Sequence, residues 1–307
     1  MLPLRVARIV PESAGIVSIE LVDPTGALLP AWQPGAHLDV QLITRHQRQY
    51  SLCGDPADLR SYRIAVLREE LSRGASMYIH EFLRVGSTVH AAPPRNLFPL
   101  VPAQEYLLLA AGIGITPILA MARDLESRGS TWSLNYAVRG DDYLPFSSEL
   151  EGLGDKVTVN ARDRAGRLDL TTLLAEPRAG TAVYSCGPAR FTEAVERAMV
   201  TWPSGSLHLE RFEPKPIVAR PNLPFTVHCA RSTIVVEVPA DRSMLQALTD
   251  RGLPVPGSCL RGVCGSCAVR VLDGGVEHRD SLTAGDETTL MYPCVSRAST
   301  PSLTIDL

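Results

Sequence analysis

Four cysteines near the C-terminus carry the clearest chemistry in this chain of 307 residues. Cys259, Cys264 and Cys267 are spaced C-x4-C-x2-C within SCLRGVCGSC, and Cys294 follows in YPCVSRA. Four thiolates at this spacing can hold two irons and two sulfides. A loop wrapped on such a group needs small residues, because its backbone N–H groups must reach the sulfurs. Gly257, Ser258, Gly262, Gly265 and Ser266 supply them. Structural zinc is the alternative, but its usual sites join two short C-x2-4-C pairs, and only one C-x2-C exists here. Cys229 falls on a predicted strand and is expected to be a small buried hydrophobe.

A 2Fe-2S cluster moves one electron at a time, so the upstream residues must supply electrons. YLLLAAG runs into GIGITP, Gly112 to Pro117, and then into a helical pattern. Glycines at such a turn let the backbone approach a pyrophosphate, and the helix N-terminus offers N–H donors, which makes Gly112, Gly114 and Thr116 candidates. YSCGP, Tyr184 to Pro188, places Cys186, Gly187 and Pro188 at a second strand end. In a doubly wound sheet both strand ends open onto one ligand crevice. RQYSLCGDP gives a third set: Arg48 suits a phosphate, Tyr50 a flat ring and Ser51 the edge of that ring. SRGASMYIHEF puts Gly74, Ala75 and Ser76 at a helix start, another phosphate site. Taken singly, each motif reads equally as an ordinary turn, barrel packing or a helix cap.

The elements that must position these residues fall into three regions. Up to about residue 102 short alternating pieces such as AHLDVQLI and YRIAVLRE predict an antiparallel β-barrel with one helix near Ala75 to Arg84. From 103 to 212, apolar strands alternate with helix-length segments, the pattern of an α/β doubly wound parallel sheet. Residues 213–224, rich in proline, read as a linker of limited flexibility. Residues 225–307 hold a hairpin, a helix near Ser243 to Arg251, the cysteine loop and a further strand, an α+β ferredoxin domain of β-grasp type. The fold class is therefore multidomain.

With 30 basic and 33 acidic residues, the chain has no broad positive field for nucleic acid. The longest apolar run, Tyr106 to Ala122, is interrupted by Gly112, Gly114 and Pro117 and is too short to span a bilayer. No signal peptide is visible, and seven cysteines cannot all pair, so a cytoplasmic protein without a disulfide framework is expected.

Together, R-x-Y-S at Arg48, Tyr50 and Ser51, then GIGITP, YSCGP and the C-terminal cysteines resemble the phthalate dioxygenase reductase family, which includes the reductases of vanillate demethylase and related Rieske oxygenases. The resemblance implies an NADH-dependent flavoprotein reductase of aromatic catabolism that binds FMN and passes electrons to a separate Rieske-type oxygenase, the chain itself being a monomer. It implies that Arg48 and the Gly74–Ser76 turn take the FMN phosphate and that Tyr50 and Ser51 contact isoalloxazine. Gly112, Gly114 and Thr116 would face NADH, Cys186 with Gly187 and Pro188 would lie near nicotinamide, and Phe212 would cover the flavin. Where the family turn reads SRGGS this chain has SRGAS, so Ala75 departs from the pattern. Ser51 and Cys186 are the expected catalytic pair.

Chemistry supports that order of cofactors. NADH gives up two electrons as a hydride, the cluster accepts one, and flavin mediates between them. FAD in place of FMN, in an electron-transfer subunit of another dehydrogenase or oxygenase, is the alternative reading. A redox sensor or metal module would have no use for two nucleotide sites. After strand SLNYAV, Arg139 could attract the 2′-phosphate of NADPH, whereas Asp141 and Asp142 would repel it, and NADH is expected. Arg251, Arg261 and Arg270 stand in a stretch from 251 to 270 with no acid, although residues 225–307 hold seven arginines against nine acids. That local positive face is expected to meet the oxygenase.

Overall fold

Period-two alternation builds the first sheet. In β1 (Leu2–Ser13), Leu4 and Val6 are buried while Arg5 between them is exposed. β2 (Ile16–Val22), β3 (Ala36–Gln41), β4 (Gln47–Ser51), β5 (Ser61–Leu67), β6 (Thr88–Ala91) and the short β7 (Arg95–Asn96) complete an antiparallel sheet. Its order is β4-β3-β6-β1-β2-β5, with β7 on β3. The sheet curls until its two edges meet: Leu52, just past β4, bridges Ile64 of β5, and Cys53 N–H donates to the Arg63 carbonyl at 2.8 Å. The computed structural model describes residues 1–42, 47–69, 74–217, 220–283 and 289–307. Helix α1 (Ala75–Glu81) lays Ala75 and Ile79 on the barrel core. It stops short of the predicted Arg84, because Phe82 leaves helical geometry and Leu83 turns into that core.

The second sheet is parallel. β8 (Glu105–Ala111), β9 (Thr131–Val138), β10 (Val157–Ala161), β11 (Thr181–Gly187) and β12 (Leu207–Arg211) lie in the order β10-β9-β8-β11-β12. β8 and β11 are central and nearly all buried, which is why they read as unbroken apolar runs. Helix α2 (Ile115–Ser127) is buried on almost every side of its first three turns. Its Ala120 belongs to the barrel core, so α2 is shared between parallel sheet and barrel. That sharing accounts for an apolar run of nearly membrane-span length, and no helix among the described residues is long and apolar enough to cross a membrane. Short helices α3 (Ser147–Glu151), α4 (Arg162–Ala165) and α5 (Leu170–Leu173) precede α6 (Ala189–Ala198). Side chains from α5 and α6 pack with Leu107, Leu109 and Val183 of the sheet. Barrel and parallel sheet belong to one compact unit, Met1–Glu210.

The other unit is Arg211–Leu307. β13 (Phe225–Cys229), β14 (Ile234–Val238), helix α7 (Met244–Asp250), β15 (Val269–Asp273), β16 (Val276–Glu277), β17 (Leu290–Met291), β18 (Arg297–Ala298) and β19 (Ser302–Ile305) follow in turn. The main sheet runs β14-β13-β19-β15-β17, with β13 and β19 parallel, and α7 lies on it in a β-grasp arrangement. Ser243 and Gln246 form a reciprocal capping box that fixes the start of α7. The proline-rich segment is strapped to this unit: the Arg279 guanidinium donates to the Arg220 carbonyl and to Asn222 Oδ1, and Arg297 donates to the Leu223 carbonyl.

Candidate active site and cluster loop

Between β8 and β11 the direction of sheet growth reverses, since β9 and β10 lie to one side and β12 to the other. Ligands of open α/β sheets bind at that reversal, beyond the C-terminal strand ends. The GIGITP and YSCGP turns both stand there and touch. A Cβ on Gly114 would lie 2.2 Å from the Cys186 carbonyl oxygen, so only glycine permits the approach. A Cβ on Gly112 would meet nothing within 4 Å, which leaves that backbone facing open space. Thr116 is buried and its hydroxyl donates to the Ile113 carbonyl at 3.0 Å, bracing the turn. Gly187 ends β11, and Pro188 caps α6.

Ser51 ends β4 and is buried, and its hydroxyl donates to Glu210 Oε2 at 3.3 Å. Cys186, with no exposed surface, directs its thiol at the same oxygen from 3.9 Å. Three elements far apart in sequence thus converge: the end of β4, the end of β11 and the end of β12. Enclosure of the Glu210 carboxyl pushes it up to about 8, against the hydrogen bonds from Ser51 and Cys186, which pull it down. Burial, then the Glu210 charge, pushes the Cys186 thiol well up, so it stays protonated. Glu210 was missed at the sequence level. It lies in HLERF as one acid among many, and only strand pairing sets His208 and Glu210 opposite Tyr184 and Cys186, with the His208 ring stacked on Tyr184 at 4.6 Å.

Of the remaining barrel residues, Arg48 and Tyr50 lie on the other face of β4 from Ser51, opposite Val40 and Leu38. Tyr50 packs against the barrel core, and burial pushes its phenol up. Arg48 Nη1 donates to the Gln47 carbonyl at 2.8 Å. Gly74 has φ 100 and caps α1, while Ala75 and Ser76 are buried and Ser76 Oγ accepts from Glu69 N–H at 3.2 Å. Ser72 and Arg73 of that turn lie outside the described residues.

The cluster cysteines meet as two thiol pairs, Cys259 with Cys264 and Cys267 with Cys294. Among the described residues no three His, Cys, Asp or Glu side chains converge on a single ion position. Two pairs side by side suit a two-iron group, each pair taking one iron, better than one tetrahedral zinc. The loop aims donors at the sulfurs: Arg261 N–H lies 3.3 Å from Cys259 Sγ, the Ser266 hydroxyl 3.0 Å from Cys264 Sγ, and Gly262 N–H serves Cys294. Gly262 has φ 71 and a Cβ there would sit 2.9 Å from Asp280 Cα, so the loop needs glycine. The fully buried Asp280 carboxylate accepts from Leu282 N–H, Thr283 N–H and the Ser296 hydroxyl, holding the wall behind the loop. Cys264 and Cys267 are buried, whereas Cys259 and Cys294 keep partial exposure.

Residues 227–299 match the family of 2Fe-2S iron-sulfur cluster binding domains. The phthalate dioxygenase reductase of Burkholderia cepacia is 38% identical, over 100% of this chain and 97% of its own length. A solved phthalate dioxygenase reductase, described as a modular structure for electron transfer from pyridine nucleotides to 2Fe-2S, is 37% identical with a TM-score of 0.74, covering 100% of this chain and 98% of that one. The chain belongs to the phthalate dioxygenase reductase family. It is an oxidoreductase, a reductase component built of flavin, nicotinamide and ferredoxin folds. This chain is also similar to part of an intact type IV self-sufficient cytochrome P450 monooxygenase, with a TM-score of 0.94 and 39% identity over 99% of this chain, which spans 41% of that protein.

Two further regions hold residues singled out in the sequence. Beyond β9, Arg139 stacks on Tyr143 with its Cζ 5.5 Å from the ring, Asp141 pairs with Arg164 at 2.5 Å, and Asp163 presses against Gly140. In the ferredoxin unit, Arg261 is exposed, yet its Nη2 donates to the Phe212 carbonyl at 3.2 Å. Phe212 itself is half-buried.

Proposed function

We propose that this reductase takes a hydride from NADH onto FMN and delivers the electrons singly, through a 2Fe-2S cluster on Cys259, Cys264, Cys267 and Cys294, to a Rieske-type oxygenase. The observation that carries the reading is the convergence of Ser51, Cys186 and Glu210 at the switch point of the sheet. When bound, flavin supplies the exchange between a two-electron donor and a one-electron acceptor. The chain's own residues do the placing. Gly112, Gly114 and Thr116 form the turn that receives the nucleotide backbone, and Gly187 and Pro188 shape the facing strand end. Ser51 and Cys186 line the reacting edge, with Glu210 Oε2 holding both. A carboxyl pushed up to about 8 stays protonated at neutral pH and adds no negative charge where a hydride must arrive.

Arg48 and the turn of Gly74, Ala75 and Ser76 are assigned to the FMN phosphate, Tyr50 and Phe212 to the flavin ring. NADH over NADPH rests on the acids Asp141 and Asp163 around Gly140 and on Arg139 being stacked on Tyr143. None of the seven cysteines is in a disulfide, which suits a reducing compartment.

One experiment tests the reading as a whole. The purified chain is titrated anaerobically with NADH and, in parallel, with NADPH, while flavin bleaching and the electron paramagnetic resonance of the reduced cluster are followed. Acid release and chromatography identify the flavin. Bleaching by NADH followed by a cluster signal is expected, with FMN released; a colourless protein ends the proposal. The likeness to a haem monooxygenase favours a second acceptor, a haem-centred oxygenase. Electron delivery to a Rieske oxygenase and to a cytochrome P450 domain, compared at equal concentration, separates the two.

A further inference from the structure

We infer that Arg123 of α2 is a positioning residue for hydride transfer, clamping the nucleotide-binding helix to the strand end that carries Ser51. The inference rests on the reading above. Arg123 Nη1 donates to the Cys53 carbonyl at 2.6 Å and to the Gly54 carbonyl at 3.0 Å, two and three residues past Ser51. The same α2 begins at the GIGITP turn. One side chain therefore ties the start of the nicotinamide site to the end of the flavin strand.

The guanidinium is itself held. Arg123 Nη2 pairs with Glu149 of α3, Glu149 accepts from Arg63 of β5 at 2.6 Å, and Arg63 reaches Glu12 of β1 at 3.2 Å. Arg63 also lies over the Phe146 ring, 4.6 Å from Cζ to centroid. Phe146 has φ 60, a left-handed backbone that a bulky residue adopts only where its surroundings hold it there. Single ion pairs that keep some exposure contribute little to stability. A chain of four charged side chains running from barrel to parallel sheet, ending on two backbone carbonyls beside the reacting edge, instead fixes geometry. The carbonyls concerned sit where the barrel closes, since Cys53 N–H bonds the Arg63 carbonyl. Displacing a reacting atom by about 1 Å can cost about 100-fold in rate.

The test uses the holoenzyme and stopped-flow reduction of its flavin by NADH and by NADH deuterated at the transferred position. Arg123→Gln should retain its flavin and its NADH dissociation constant within about twofold, while the limiting rate of flavin reduction falls about 10- to 100-fold and the isotope effect rises. Arg123→Lys, which keeps the charge but cannot reach both carbonyls with one planar fork, should recover part of the rate. Glu149→Gln should show a smaller loss. A purely structural role would lower the melting temperature and leave the limiting rate and isotope effect unchanged, and that result overturns the inference. If Arg123→Gln does not fold, Arg123→Lys decides, and a wild-type limiting rate in it overturns the inference. Failure of the underlying reading is distinct, because the unmutated chain would then carry no flavin or fail to be reduced.

Discussion

Ser51 and Glu210 are 159 positions apart, yet the serine hydroxyl donates to the glutamate carboxyl at 3.3 Å. This bond joins the end of β4 to the last strand of the parallel sheet within one compact unit. It also sets the electrostatics of the crevice, because Cys186 turns to the same oxygen and partial burial raises the carboxyl.

A pH dependence follows. The Glu210 carboxyl is pushed up from 4.5 to about 8, so between those values the folded state binds more protons than the unfolded chain. Stability is therefore lost as pH rises through that window, the reverse of a paired surface carboxylate. Glu210→Gln removes the loss. Urea unfolding of both proteins should give similar midpoints near pH ~5, and near pH ~8.5 the variant should be the more resistant. Equal midpoints at the higher pH would show that the carboxyl is not desolvated.

Flavin retention tests Arg48. Putting a carboxylate where the phosphate is assigned should weaken FMN binding at least about tenfold, since a charge-assisted pair is replaced by repulsion. Arg48→Glu protein that purifies with a full complement of FMN would remove Arg48 from the site.

Cys264→Ala separates the two halves of the electron path. Loss of one thiolate should abolish the cluster signal and cut iron content, while NADH oxidation by ferricyanide, which can draw electrons from flavin, stays within about twofold. Loss of both activities together would argue against a modular path.

Salt can separate a proposed docking role of Arg261 from its internal contact. Its position in the acid-free stretch suits an acidic partner surface, whereas its bond to the Phe212 carbonyl is internal. Arg261→Glu should slow electron delivery to the oxygenase several-fold at low salt, with the deficit shrinking as the Debye length falls below about 8 Å. A deficit that does not change with salt would assign Arg261 to the internal contact alone.

Much of this was already legible in the amino-acid chain. The cysteine spacing, the glycines of GIGITP and the unbroken apolar runs of β8 and β11 are local signals. They arise because thiolate geometry, close backbone approach and two-sided burial each constrain neighbouring residues directly. The 17-residue apolar stretch from Tyr106 to Ala122 was likewise readable as strand, turn and helix from its own glycines and proline. Three-dimensional packing decided the rest. Nothing near Glu210 distinguishes it from other acids until strand pairing sets it opposite Cys186 and partial burial raises its carboxyl. Arg123 looks like an ordinary exposed helix residue until α2 is shared between two sheets and the closed barrel edge offers it two carbonyls. A desolvated carboxyl and a side chain bridging two sheets depend on contacts between segments distant in the chain, and such contacts leave no period or spacing in the sequence.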